Sequence, residues 1–103
     1  MWAQLIKTHV KPGNDDRVKE LLEQLRAVEQ PDSGLLRSTA MLDQNDPTSL
    51  YLMVVFDNED QARAREQDPR RTEGLEAVRA LMGEILDGPP EFVDLNVLEE
   101  TIR

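Results

Sequence analysis

Between Leu50 and Phe56 the chain reads Leu-Tyr-Leu-Met-Val-Val-Phe, its only long run free of strongly polar side chains. Turn-forming segments bracket it, Asp43-Gln44-Asn45-Asp46-Pro47 before and Asp57-Asn58-Glu59-Asp60 after. A short β-branched and aromatic run between such boundaries is a strand. Leu50, Leu52, Val54 and Phe56 share one face, and Tyr51, Met53 and Val55 the other. Both faces are apolar, so this strand belongs in the middle of a sheet covered on both sides.

Other elements follow from local signals. Trp2, Gln4, Ile6, Thr8 and Val10 alternate with Ala3, Leu5, Lys7 and His9, which predicts a first strand ended by Lys11-Pro12-Gly13. Asn14, Asp15 and Asp16 open a first helix, whose stripe is Val18, Leu21, Leu22, Leu25 and Val28. It should stop near Gln30-Pro31, because the residue before proline avoids helical angles. Leu35–Leu42 alternates polar and apolar, as an edge strand does. A loop through Asp46-Pro47 then makes a hairpin to Leu50–Phe56. Asp57 or Asn58 caps a second helix, interrupted at Asp68-Pro69, with Leu75, Val78, Leu81, Met82, Ile85 and Leu86 at helical spacing beyond the break. Gly88-Pro89-Pro90 ends it, and Phe92–Leu98 is the last strand. The order β-α-β-β-α-β with right-handed crossovers gives an α+β, ferredoxin-like fold. Its four-stranded antiparallel sheet has the order fourth, first, third, second.

Both helices then cover the same face of the sheet. The other face still carries apolar groups from the central strand, Leu5 and one row of the last strand. A stable interface hides roughly 800 Å² per partner, and monomers rarely leave such a patch in water. A homodimer with its sheets face to face is the expected assembly.

The 103 residues suit a single domain spanning 1–103. Twenty-one acidic against 12 basic residues give a net charge of −9, which argues against nucleic acid or an anionic membrane as partner. No segment approaches the ~20 apolar residues of a membrane span. Met1-Trp2-Ala3-Gln4 lacks the charged start and apolar run of a signal peptide. The absence of cysteine fits a cytoplasmic location. With one histidine and no cysteine, no metal site is expected. No Ser-His-Asp arrangement, phosphate loop or dinucleotide fingerprint is present.

The pattern resembles the antibiotic biosynthesis monooxygenase family, which forms a dimeric α/β barrel. The likeness runs along nearly the whole chain. Its carriers are Val10-Lys11-Pro12-Gly13, Val54-Val55-Phe56-Asp57-Asn58-Glu59-Asp60-Gln61-Ala62, Gln67-Asp68-Pro69 and Leu86-Asp87-Gly88-Pro89-Pro90. The resemblance implies a ligand pocket between helices and sheet in each subunit, and an apolar or aromatic small molecule as ligand. It implies a monooxygenase acting on an aromatic or polycyclic metabolite without a bound cofactor. Members of that kind deprotonate an electron-rich phenol, whose carbanion passes an electron to O₂. The alternatives are a non-catalytic ligand-binding or stress-related dimer, and an isomerase or decarboxylase on the same scaffold.

This sequence departs from the family's pattern at several points. Phe56 stands where tryptophan is common, and Val54 where glutamate is common. The haem-degrading branch resembles a pattern with asparagine on the first strand and tryptophan and histidine on the second helix. Here Ile6 takes the asparagine position and the second helix has neither residue, so haem is not expected.

By the same resemblance Ile6 is pocket-facing. Trp2, Gln4 and Thr8 share its parity and Val54 and Phe56 belong to the adjoining strand, so these six are the candidate ligand contacts. For each the competing role is core packing or satisfaction of backbone groups. His9 is the one side chain that titrates near neutrality unperturbed, which makes it a candidate general base, although its parity is opposite to that of Ile6. Tyr51 is expected at the dimer seam. Arg63, Arg65, Arg70 and Arg71 are either a clamp for an anionic substrate or a solvated helix face paired with Glu59, Glu66 and Glu73.

Overall fold

The computed structural model describes all 103 residues. Its elements are β1 (Trp2–His9), α1 (Asp15–Ala27), β2 (Leu35–Asp43), β3 (Asp46–Phe56), α2 (Glu59–Glu66), α3 (Pro69–Ile85) and β4 (Glu91–Asn96). The sheet order is β2-β3-β1-β4 with every pair antiparallel, the ferredoxin-like arrangement expected from the sequence.

Local chemistry accounts for most boundaries. Asn58 caps α2, its side chain accepting from the Gln61 amide at 2.8 Å. Asp68 caps α3 by accepting from the Arg70 amide at 2.9 Å, and Pro69 fills the first helical turn, where its missing N–H costs nothing. The break at Asp68-Pro69 therefore separates two helices rather than bending one. Gly13, Gly34 and Gly88 all have positive φ, and each sits just before a helix or strand begins. That conformation is open to glycine at little cost.

Three boundaries differ from expectation, the first being the end of α1, which stops at Ala27, short of Gln30-Pro31. β3 begins at Asp46, not Leu50, so the hairpin turn is only Gln44-Asn45. Pro47 is tolerated because the ladder to β2 jumps from Leu42↔Leu50 to Asp43↔Asp46. Pro47 thus lies where no partner asks for its N–H. β4 stops at Asn96, and residues 97–103 form a tail without regular structure.

The register assigns the faces. Phe56, Trp2 and Asn96 form one row across the sheet, followed by Val54, Gln4 and Asp94, then Leu52, Ile6 and Phe92. All look toward the helices. They are packed as two separate clusters. Val10, Val18, Leu21, Leu50, Val78, Leu81 and Ile85 join β1 and β3 to α1 and α3. Trp2, Val54, Phe56 and Ala62 join the opposite end of the sheet to α2. Gln4, Ile6 and Leu52 lie between these clusters and are only half-buried, while Phe92 beside them is 57% exposed.

On the back face, Leu5, Tyr51, Met53, Val93 and Leu95 are half-buried and Met41 is exposed. One end of this face is sheltered by the chain itself. The tail leaves β4 beside Met1, where the Val97 amide donates to the Met1 carbonyl. It reaches β2, where Glu100 pairs with Arg37. Ala3 and Val55, between those two points, are buried. The molecule exposes 7023 Å². A compact monomer of 11.8 kDa is expected to expose roughly 5900 Å². The exposed tail with Leu98 and Ile102, the helix-side ring of Phe92 and the uncovered rear of the sheet all contribute to that surplus.

Candidate functional site

The six candidate ligand residues do face the helices, but they are not alike. Trp2, Val54 and Phe56 are buried within one packed cluster, the Trp2 and Phe56 rings 6.2 Å apart and tilted by 48°. Thr8 is buried as well, its hydroxyl donating to the Leu50 carbonyl at 3.0 Å. This satisfies a polar group inside the sheet. Gln4 and Ile6 are the two that reach the half-open band between the clusters.

Gln4 leads to a polar wall. Its Nε2 donates to Asp94 Oδ1 at 2.9 Å across the β1–β4 pairing. Asp94 Oδ2 accepts from Arg63 Nη2 at 2.7 Å. Arg63 also donates to Glu59 through Nε (3.3 Å) and Nη2 (3.2 Å), and to Glu66 through Nη1 (3.1 Å). Its guanidinium carbon lies 4.9 Å from the centroid of the Trp2 ring, a cation–π distance. The Gln4 amide and then Arg63 hold the Asp94 carboxyl below the usual carboxylate range. In return the Asp94 and Glu59 hydrogen bonds raise the Arg63 pKa further. Asp94 and Arg63 therefore face each other as an ion pair at neutral pH.

Three of the four arginines pair with carboxylates, each in a different place. Arg63 meets Glu59 and Glu66, as a helix face would, and adds Asp94 from the sheet. Arg65 turns to Glu29 at the end of α1, with contacts of 2.5–3.1 Å, and covers the Phe56 ring at 5.3 Å. Burial pushes the Glu29 pKa up, but hydrogen bonds from Arg65 and Ser33 outweigh it and leave the group below its ordinary value. Arg70 is held by Asp68 at 2.7 Å and Asp32 at 3.0 Å. Arg71 is half-buried, and burial, with Arg65 close by, lowers its pKa. Asp32, Ser33, Gln61, Arg65 and Arg70 border a recess of about 200 Å³ at the α1–β2 loop.

His9 lies elsewhere. It is exposed at the end of β1, on the back face. It lines a shallow recess of about 120 Å³ with Lys7, Ser49, Tyr51 and Glu91 among its neighbours. The structure does not bring it near Gln4 or Asp94. Asp94 is not among the sequence-derived candidates. The available signal was register, since an antiparallel β4 beside β1 sets Asp94 opposite Gln4.

No group of His, Cys, Asp and Glu in the structure could hold a metal ion. No helix is long and apolar enough to cross a membrane.

The fold recurs among solved structures. A Bordetella bronchiseptica protein named for antibiotic biosynthesis monooxygenase superimposes with a TM-score of 0.75 at 19% identity, covering 95% of this chain and 97% of that one. SnoaB from Streptomyces nogalater, described as a cofactor-independent oxygenase, matches with 0.73 at 17% identity over 96% and 94%. Rv0793 from Mycobacterium tuberculosis matches with 0.71 at 18% identity over 98% of both chains. At these identities the likeness speaks for the fold alone. No curated protein sequence matches the chain. The family model for antibiotic biosynthesis monooxygenase matches residues 1–77, from β1 through the first half of α3. That match spans the sheet's three linked strands, the helix break and most of the polar wall, and on it the chain belongs to the antibiotic biosynthesis monooxygenase family.

Proposed function

We propose that this chain is a cofactor-independent monooxygenase acting on an aromatic or polycyclic small metabolite, and that it works as a homodimer joined through the sheets' back faces. The observation that supports it most is the half-open band on the helix side. Ile6, Leu52 and Phe92 give it an apolar floor, and Gln4, Asp94 and Arg63 give it one polar wall. Binding sites for apolar ligands have this composition, mostly hydrophobic with a few fixed polar groups.

In the reaction the substrate's acidic C–H or phenolic O–H gives its proton to water, and that proton is taken up again when the peroxide intermediate sheds water. The carbanion gives one electron to O₂, and the two radicals recombine. A ring methylene so oxidised becomes a carbonyl, with one oxygen atom retained and the other leaving as water. The polar wall orients the phenolic oxygens by hydrogen bonds. The dimer rests on the back face, where Leu5, Tyr51, Met53 and Val93 are only half-buried, Met41 is exposed and no helix covers them. The tail over Ala3 and Val55 leaves Leu5, Met41, Tyr51, Met53 and Val93 for the partner.

The test is oxygen uptake with a panel of anthrone- and naphthol-type phenols, after a thermal-shift screen finds those that bind. Consumption of O₂ with formation of the quinone supports the reading. Binding without consumption favours the second one, a non-catalytic ligand-binding dimer. What speaks for that second reading is the tight packing of Trp2, Val54 and Phe56, which leaves few polar groups to act on a substrate.

A further inference from the structure

Residues 97–103 take no regular structure, yet two contacts tie them across the sheet's back face. The Val97 amide donates to the Met1 carbonyl at 3.3 Å. Glu100, its side chain only 17% exposed, pairs with Arg37 of β2. Val97 and Glu100 are thus the sheltered residues of the tail. Leu98 and Ile102 are turned away from the sheet, 96% and 77% exposed, more than any other large apolar side chain of the molecule. Single apolar side chains in water are ordinary. Two on one pinned segment, beside an open apolar surface, form a patch.

That surface is the second observation. The tail crosses the back-face row Leu95, Ala3, Val55 and Arg37. The next row is Val93, Leu5, Met53 and Thr39, and the one after is Glu91, Lys7, Tyr51 and Met41. Successive rows lie about 6.6 Å apart along the strands. Each back face is therefore a step, with a ridge of tail at one end and an apolar floor beyond it. Sheets that pack face to face stand about 10 Å apart. A two-fold axis parallel to the strands would lay ridge on ridge and prop the floors apart. An axis running across the strands sets each ridge on the other chain's floor, and the symmetry makes the same fit twice.

We propose that residues 97–103 are an arm of the dimer interface: Leu98 and Ile102 of each chain bury against Leu5, Met41, Tyr51 and Met53 of a second copy, with the two-fold axis across the strands. The Arg37–Glu100 pair is the brace that holds the arm in place. The occupant is a second copy because the floor and its cover both belong to this chain and one two-fold contact satisfies both. Area points the same way. A stable interface needs roughly 800 Å² per partner, and half-buried Leu5, Tyr51, Met53 and Val93 supply little each. The bare side chains of Leu98 and Ile102 add the largest apolar surfaces to it. The inference rests on the back-to-back dimer proposed above and names the segment that closes it.

The experiment is sedimentation equilibrium of the full chain at neutral pH. The double variant Leu98→Ser/Ile102→Ser removes four apolar side chains from each dimer and should raise the dimer Kd about tenfold or more. Leu42→Ser, which trims an exposed leucine on the helix side, should leave the Kd unchanged. A second measurement fixes the geometry. The chain has no cysteine, so Thr101→Cys takes a single nitroxide label. In an equal mixture of labelled chain and isotope-enriched unlabelled chain, the broadened amides should be those of Met41, Tyr51 and Met53. The inference is overturned if the double variant dimerises as tightly as wild type, or if Leu42→Ser weakens the dimer as much. It also fails if the broadening falls on residues 97–103 of the second copy, which would mean that the tails meet, or on none. A wild type that sediments as one chain removes the dimer itself and the arm with it. A wild-type dimer indifferent to the double variant removes the arm alone.

Discussion

Two glycines in α3 offer one substitution with opposite outcomes. Gly74 and Gly83 both lie inside the helix, where glycine costs up to ~1 kcal/mol relative to alanine. At Gly83 an added methyl group meets nothing within 4 Å, so Gly83→Ala should stabilise by about that amount. At Gly74 the new carbon would lie 2.6 Å from Val28 Cγ1 and 2.8 Å from its Cβ. Carbon atoms in contact sit ~3.5–4.0 Å apart, so a gap of about 1 Å must open. Rotating Val28 relieves Cγ1 but not Cβ, which moves only with the backbone at the end of α1. Overpacking of this kind costs ~1–3 kcal/mol, which exceeds the propensity gain and leaves Gly74→Ala about 1 kcal/mol less stable. For a chain of this length 1 kcal/mol is ~4–8 °C in Tm. Thermal unfolding at one fixed protein concentration should therefore place wild type between the variants, Gly83→Ala above and Gly74→Ala below. If Gly74→Ala melts as high as Gly83→Ala, the close α1–α3 approach at Val28 is not as described.

Other consequences can be measured independently. Met53→Asp puts a charge in the middle of the back face and should convert the sedimentation mass from two chains to one; a wild type of one-chain mass at micromolar concentration would already refute the dimer. The Glu29 pKa lies below its ordinary 4.5, so the pair with Arg65 stabilises the fold above that pH and the contribution fades as pH falls through the folded value. Glu29→Gln should accordingly lower stability at pH 7 and flatten the acid limb of a urea-denaturation series; an unchanged limb would count against it. His9→Ala should keep full oxygen uptake if the substrate occupies the helix side, and a loss of tenfold or more would move the chemistry to the back face. Phe92→Ala should weaken aromatic-ligand affinity severalfold with Tm nearly unchanged, because the ring is exposed; a Tm drop of many degrees would show it to be part of the core.

The parts of the fold legible in the sequence were those fixed by nearby residues. The run Leu50–Phe56 placed β3 beside β1 in the centre, Asn58 marked a cap, and Pro69 marked the break between α2 and α3. The start of β3 was misjudged because Pro47 normally forbids a ladder position, and only the irregular pairing with β2 shows that none is needed there. The tail was illegible for a different reason: Glu100 meets Arg37, a partner more than sixty positions away with no periodicity to announce it. The site lies between these cases. Parity put Trp2, Gln4, Ile6 and Thr8 on the helix side, but it could not separate the packed Trp2 and Thr8 from the half-open Gln4 and Ile6. That distinction depends on where α2 ends and α3 begins to cover the sheet. Asp94 and Arg63 are joined by tertiary contact alone, 31 positions apart.

Trp2 is the chain's single indole. Its ring is enclosed by Phe56 on one side and the Arg63 guanidinium on another. Intrinsic emission from this protein therefore originates at one spot, beside the charged lattice that ties α2 to β4. Loosening that lattice admits water to the indole and moves the emission to the red. The molecule thus carries an unlabelled optical gauge of its own wall, readable in a cuvette in real time as salt, acid or an arriving guest disturbs it.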